Sequence, residues 1–356
     1  MPPKNQTLLI IAQSLEQPRV VKRIIEKSKA YDHIEVFGFK REIHEVNNFG
    51  ILEGYENVKL NIVGTMANYK YMKRLANYFR LLWSIYSKYG LRLKHLYVFG
   101  LDTRMISSFI VNSKIDYEIS DILWLYKPPF QKSILRRIDT LLAKWSNSVV
   151  FTSKGFYDSH YTNYVKPENA IIKENKFKTY GKVSPIQHIK EDAVRIAYIG
   201  AFRYSSIIEH LLKVVRENKN LILNFYGDGF KSIVDEMKKN ASEHENIFFN
   251  GAFKNPDDLE NIYAENNLNF VVYKNTLENE KVAMPNKFYE SGFFNVPIVA
   301  AVNTHVGQRV VKQQMGWAID IDYESISRFL NNLQIDDIIK HHENIKKLDK
   351  SLFESE

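Results

Sequence analysis

The ten residues AMPNKFYESG, Ala283–Gly292, read as the start of a helix, and the run PIVAAV that follows them at Pro297–Val302 reads as a strand. Pro285 suits a first helical turn, where its missing amide hydrogen would have had no partner anyway. Polar Asn286 and cationic Lys287 come next, and a carboxylate follows at Glu290. The free N–H groups and positive dipole end of such a terminus form a ready site for an anion such as a phosphate.

Working outward, the same helix-and-strand alternation runs along the whole chain, the pattern of parallel α/β architecture. Strands are expected at Thr7–Ala12, Ile34–Phe39, Val58–Val63, His95–Gly100, Tyr117–Ser120 and Ser148–Ser153. A second set is expected at Val194–Gly200, Leu221–Gly227, Asn246–Gly251, Leu268–Tyr273, Pro297–Val302 and Trp317–Ile321. Between the sets, Lys176–Ala193 has no clear apolar period and contains Gly181 and Pro185, as a linker would. The reading is therefore an α/β chain of two Rossmann-like doubly wound domains: residues 1–180, a linker over 181–193, residues 194–332, and a charged amphipathic helix over 333–356.

A chain of 356 residues with 45% apolar content can bury a core in each domain. No run of eighteen apolar residues and no signal-peptide pattern is present, so a cytoplasmic protein is expected. With no cysteine there is no disulfide, thiolate metal site or cysteine nucleophile. The net charge of +8 is unevenly divided: residues 1–180 hold 28 Lys and Arg against 16 Asp and Glu, and the remainder 21 against 25. The first half is the one expected to meet an anionic partner.

In open α/β sheets ligands settle outside the carboxyl ends of the strands, where glycines let backbone come close. Four such features fall on one edge of the second domain: GAFR (Gly200–Arg203), YGDG (Tyr226–Gly229), FNGAF (Phe249–Phe253) and the helix start at Pro285.

Taken with DDLENIYAENNLNFVVY, MPNKFYESGFFNVPIVAA and THVGQRVVKQQMGWAIDID, these pieces resemble the donor-binding half of GT-B glycosyltransferases, of the family 4 type that builds bacterial capsular and exopolysaccharides. The match spans Arg195–Asp322; the first half resembles the acceptor domain more loosely, through QPRVVKRI, YEISDILW, FTSKGFY and IIKENK. The resemblance implies two domains facing each other across a cleft, and transfer of a sugar from a nucleotide-diphosphate donor, UDP- or GDP-linked, to a saccharide acceptor. It implies that Glu290 accepts hydrogen bonds from both ribose hydroxyls, that Pro285, Asn286 and Lys287 form the helix start meeting the diphosphate, and that Arg203 grips the same group. Gly200, Gly227, Asn250 and Gly251 would line the nucleotide. It also implies that the last helix returns to the first domain.

The chain departs from the family pattern in two places. The second glutamate of retaining members stands eight positions before the ribose-binding one, and here Val282 occupies that place, with Glu278 and Glu280 nearby at the wrong spacing. A further basic residue expected after Arg203 is absent from YSSIIEH. Glu280 is kept as a catalytic candidate, and retention or inversion stays open. If the reaction inverts, a general base is needed on the acceptor side; Asp121, after the YEIS strand, is the first choice, with Asp102 and Glu16 as alternatives. No acidic metal motif is present, so metal-independent transfer without a cofactor is expected, the helix end with Arg203 and Lys287 stabilising the leaving diphosphate.

From Asn57 to Leu101 there is no acidic residue, while eight cations occur, among them Lys70, Lys73, Arg74 and Arg80. Met72, Leu75, Ala76, Phe79, Leu82, Trp83 and Tyr86 fall at helical spacing as a core stripe, leaving Tyr71, Tyr78, Leu81, Ile85 and Tyr89 as a second apolar face edged by cations. That second face suits the anionic inner surface of the cytoplasmic membrane, bound peripherally, with a lipid-linked saccharide as acceptor. The alternative is a long helix packed on both sides. No nucleic-acid module accompanies the charge. A nucleotide-sugar epimerase of the same fold and a non-catalytic GT-B-like partner protein are the other functional readings.

Overall fold

The computed structural model describes residues 7–41, 48–66, 71–90, 95–110, 113–179 and 183–355, with side chains for the same residues except 41, 48, 49, 51 and 71–74. The chain divides into two compact units, Met1–Glu174 and Asn175–Glu356.

The first unit carries strands β1 (Thr7–Ala12), β2 (His33–Arg41), β3 (Val58–Met66), β4 (His95–Phe99), β5 (Lys114–Ile119), β6 (Ser148–Phe151) and β7 (Ala170–Ile172), all parallel in the order β3-β2-β1-β4-β5-β6-β7. The inner strands read as unbroken apolar runs because helices cover both faces; Leu8, Leu9, Ile10 and Ile11 of β1 are all fully buried. Its helices are α1 (Pro18–Ser28), α2 (Tyr71–Tyr89), α3 (Gly100–Ser107), α4 (Pro129–Lys144) and the single turn α5 (Lys154–Phe156). The chain steps one way through β1, β2 and β3, then jumps to β4 and steps the other way. Because parallel crossovers are right-handed, α1 lies on one face of the sheet and α2, α3 and α4 lie on the other.

The second unit carries β8 (Val194–Phe202), β9 (Leu221–Gly229), β10 (Ile247–Gly251), β11 (Leu268–Phe270), β12 (Ile298–Ala301) and β13 (Gly316–Ile319) in the parallel order β10-β9-β8-β11-β12-β13. Its helices are α6 (Ser205–Glu217), α7 (Lys231–Glu243), α8 (Leu259–Glu265), α9 (Glu278–Val282), α10 (Asn286–Phe294), α11 (His305–Lys312), α12 (Tyr323–Asn332) and α13 (Ile335–Lys346). Alternate residues of β8 feed two cores. Ile196, Tyr198 and Phe202 join the apolar faces of α6, α7 and α12, while Ala197 and Ile199 join those of α8, α10 and α11. The strand order reverses between β8 and β11, the switch point where ligands of such sheets bind.

The sequence differs from the structure in three instructive places. First, the three-residue edge strand β7 has two exposed positions, Ile171 and Ile172, and no apolar alternation marks it. Second, the faces of α2 are the reverse of the expected ones: Leu81 and Ile85 are fully buried, while Leu75, Phe79, Trp83 and Tyr86 point outward. Tyr78, expected on the cationic outer face, is half-buried, sets its ring edge-on to Phe39 at 5.9 Å and donates to Asp102. Arg80 is exposed beside Asn77; Lys70 and the side chains of Lys73 and Arg74 lie outside the described residues. Third, the unit boundary falls at residue 174, not 180, and the terminal helix belongs to the second unit, where Ile338 and Ile345 are fully buried. The segment read as linker is held there too. Phe177 packs on Phe293 and Phe294, and its backbone pairs with Phe353 and Ser355.

The tail that follows α13 completes this packing. Phe353 is fully buried against α10, so close that a Cβ on Gly292 would stand 2.2 Å from its ring. Lys350 Nζ donates to the carbonyl of Gly292 at 2.9 Å and to the side chain of Asn295, which caps α10 in the left-handed region at φ 64°. Burial lowers the Lys350 amine to about 8.

Candidate functional site

In the second unit the carboxyl ends of β8, β9 and β10 and the N-terminus of α10 supply one polar cluster. Pro285 takes the N-cap position in extended backbone, φ −73° and ψ 147°, and no side chain caps the helix behind it. The first-turn N–H groups are therefore not taken up by a capping side chain. Asn286 is exposed and accepts from Asn175 Nδ2 at 2.9 Å, a contact from the segment leading into this unit.

Lys287 and Glu290 are one turn apart on α10. Glu290 is 2% exposed, and its Oε2 accepts from Lys287 Nζ at 2.6 Å and from Tyr263 OH at 3.2 Å, while Oε1 is 3.5 Å from Asn255 Nδ2. A carboxylate this deep needs such partners. The Tyr263 hydroxyl, itself pushed well above its ordinary value by burial and then by the Glu290 charge, stays a donor. Lys287 spans the cluster: its Nζ lies 5.4 Å from the centre of the Phe253 ring, and its Cε would stand 3.9 Å from a Cβ on Gly200.

The glycines are where they are because backbone meets backbone. Gly200 and Gly227 are register partners on β8 and β9, with φ of 123° and 140°. A Cβ on Gly227 would lie 1.9 Å from the Gly200 carbonyl oxygen, so no other residue fits. Asn250 is exposed at a register shift between Phe249 and Gly251 of β10, and Gly251 turns the chain with φ 74°. All four of the strand-end features singled out in the sequence thus fall on one edge of one sheet.

Arg203 is exposed just after β8. Glu280, one of the two catalytic candidates, is buried on α9 and accepts from Tyr204 OH at 2.6 Å and from the backbone N–H of Lys274 at 2.9 Å. Burial raises its carboxyl above the ordinary range, partly offset by those bonds and by the Arg203 and Lys274 charges. Both of its oxygens are thus engaged in tying the loop after β8 to the loop after β11.

In the first unit Asp121, the other candidate, is exposed one residue beyond Ser120 at the end of β5. Asp102 is better held. It is half-buried in the first turn of α3, and its Oδ2 accepts from Gln13 Nε2 at 2.7 Å and from Tyr78 OH at 3.3 Å. Gln13 follows β1 and Gly100 follows β4, the two neighbours at which this strand order reverses. Glu16 is half-buried in the loop between β1 and α1. Among the described residues no group of three acidic or histidine side chains could hold a metal ion. Gln13, Asn255 and Tyr263 were not singled out from the sequence; single amides and tyrosines carry no pattern, and only the fold brings them to the carboxylates.

No family model matches the chain. It is similar to the succinoglycan biosynthesis protein ExoL of Rhizobium meliloti strain 1021, with 23% identity over 92% of this chain and 84% of that one. Among solved structures, Anabaena HepE in complex with UDP and glucose superposes with a TM-score of 0.70 at 14% identity, over 98% of this chain and 97% of that one. WaaG, a glycosyltransferase involved in lipopolysaccharide biosynthesis, superposes with a TM-score of 0.64 at 12% identity, over 98% and 97%. The chain has the GT-B fold, built from two Rossmann-like units.

Proposed function

We propose that this chain of GT-B fold is a glycosyltransferase of bacterial surface polysaccharide synthesis, taking a sugar from a nucleotide-diphosphate donor on its second unit to a saccharide on its first. The observation that carries the reading is the Lys287–Glu290 pair at the open N-terminus of α10. A buried carboxylate with two acceptor oxygens suits a vicinal diol, and an amide-rich helix end with a flexible cation suits a diphosphate. A diphosphate arriving at that terminus would draw the Lys287 ammonium from the carboxylate and leave Glu290 for the ribose. Arg203, exposed on the same edge, adds a second cation for the charge that develops as the nucleotide leaves. The similarity to a succinoglycan biosynthesis protein supports the polysaccharide setting.

On the acceptor side, Asp102 is the carboxylate we assign to the acceptor hydroxyl, ahead of Asp121, because Gln13 and Tyr78 fix its orientation at the first sheet's switch point. The acceptor proposed is a lipid-linked saccharide, met peripherally at the inner face of the cytoplasmic membrane. No helix among the described residues is long and apolar enough to cross a membrane.

A thermal-shift panel of UDP, GDP, dTDP and CMP tests the donor site, since a ligand that binds only the folded state raises its melting temperature. A shift with one diphosphate is expected; none with any of them would overturn the reading. Release of free sugar or an epimer from donor alone, with no transfer to acceptor, would favour an epimerase.

A further inference from the structure

Exposed large apolar side chains are unevenly shared between the units. Among the described residues fifteen lie in the first unit and four in the second, and ten of the fifteen stand on α2, α3, α4 and the residues just after them. On α2 the outward stripe is Leu75, Phe79, Trp83 and Tyr86, at helical spacing opposite the buried Leu81 and Ile85. On α4 and its C-cap it is Phe130, Ile134, Leu141 and Trp145, opposite the buried Asp139, Leu142 and Ala143. Four of these rings are among the most open in the chain: Phe79 at 64%, Trp83 at 71%, Phe130 at 76% and Trp145 at 67%. Between the two helices Met105 and Phe109 are also exposed, and a groove of about 260 Å³ runs between α2 and the end of α3, lined by Phe79, Leu82, Trp83, Tyr86, Phe109 and Ile110.

The charge along these helices is mainly positive: the one carboxylate of α3, Asp102, is half-buried and accepts from Gln13 and Tyr78. Residues 57–101 hold no carboxylate, and the only one on α4, Asp139, is buried beneath Tyr117, Trp124 and Tyr161, which all donate to it. Arg80 is exposed beside the α2 stripe, and Arg137 and Lys144 are exposed beside the α4 stripe. A second copy is a poor cover for the layer, because a two-fold interface would set these cations against themselves. A bilayer with anionic head groups matches both the apolar stripe and its cationic border.

We propose that the outer layer of α2, α3 and α4 is a docking face for an anionic bilayer surface, with the Phe and Trp rings entering the interfacial region while Arg80, Arg137 and Lys144 meet head groups. The inference rests on the membrane partner named above but not on the transferase chemistry. It moves the contact from the face of α2 expected from sequence to the opposite one and adds a second helix. Each cation near the surface is expected to raise partitioning about fivefold, in a salt-dependent way.

Co-sedimentation of the full chain with phosphatidylcholine vesicles, with and without phosphatidylglycerol, tests it. The protein should pellet with the anionic vesicles at low salt and stay in solution with the neutral ones. Phe79→Ser with Trp83→Ser, and separately Trp145→Ser, should each cut the bound fraction at least tenfold, whereas Val311→Ser on the second unit should leave it unchanged. Tryptophan emission should shift to the blue on binding, and the shift should shrink in the Trp variants. No pelleting with anionic vesicles, equal pelleting with neutral ones, or binding indifferent to these substitutions would overturn the proposal. So would concentration-dependent self-association abolished by the same variants. A UDP or GDP thermal shift in the same preparations reads the donor site independently, so the two proposals fail separately.

Discussion

Lys287 Nζ stands 2.6 Å from Glu290 Oε2, a half-buried cation on a buried carboxylate at a helix start that has no side-chain cap of its own. Glu290→Ala should therefore do two things. It leaves Tyr263 and Lys287 without their acceptor, destabilising the unit by about 1–3 kcal/mol, and it removes the two oxygens proposed for the ribose, which should weaken nucleotide binding about 100-fold. Lys287→Ala should weaken the nucleotide about tenfold. Isothermal titration with UDP or GDP, alongside melting curves, checks both; unchanged affinity in Glu290→Ala would take that residue out of the site.

Gly227→Ala should be far worse than an ordinary glycine substitution, because the added Cβ meets the Gly200 carbonyl oxygen at 1.9 Å in a backbone conformation with φ 140°. A loss of several kcal/mol, about 3 or more, is expected. At Gly54, where nothing lies within 4 Å, the same change should stay within about 0.5 kcal/mol. Urea unfolding midpoints separate the two.

The tail should be coupled to the nucleotide site through α10. Gly292→Ala forces a Cβ into the Phe353 ring, and Phe353→Leu should restore part of the stability that Gly292→Ala loses. Phe353→Ala alone should cost about 3–5 kcal/mol and lower nucleotide affinity with it. A double-mutant cycle on melting temperature gives the coupling; strict additivity would show that the ring simply moves aside.

Acid stability should depend on Asp116. Burial would raise its carboxyl, but hydrogen bonds from His95 at 2.8 Å, Asn147 at 3.0 Å and Ser148 at 2.7 Å outweigh that and hold it below the ordinary carboxylate value. A carboxyl depressed in the folded state contributes stability above its unfolded value, about 3.9, that is lost as pH falls through the lower folded value. Asp116→Asn should therefore be less stable than the parent at pH 7, with a flatter decline below pH 4. Glu280 has the opposite sign. Burial raises it, so ionising it as pH rises above about 4.3 subtracts stability, and Glu280→Gln should melt with less change between pH 4 and 7 than the parent. Melting curves across that range check both signs.

Much of this was legible in the sequence. Twelve of the thirteen strands announced themselves as β-branched or aromatic runs, and the helix start at Pro285 follows from local stereochemistry, whereas the closeness of Gly227 to Gly200 is a contact between strands that their glycines permit. The orientation of α2 did not follow, because both of its faces carry large apolar residues and periodicity finds stripes without saying which one points inward. Its acid-free composition is the sequence feature that goes with the outward stripe for which a bilayer partner is proposed. Glu280 stands at the wrong spacing for the family's second glutamate, and spacing along the chain carries no sign of its bonds to Tyr204 and Lys274, which exist only in the folded loops.

The grip of Phe353 and Lys350 on α10 also orders events during synthesis. The first unit closes with contacts made by residue 174, whereas the helix bearing Glu290 waits for a ring 63 positions further along. A ribosome still translating the second half has already released every residue of the first, so the proposed membrane face is complete in sequence before the proposed nucleotide site is.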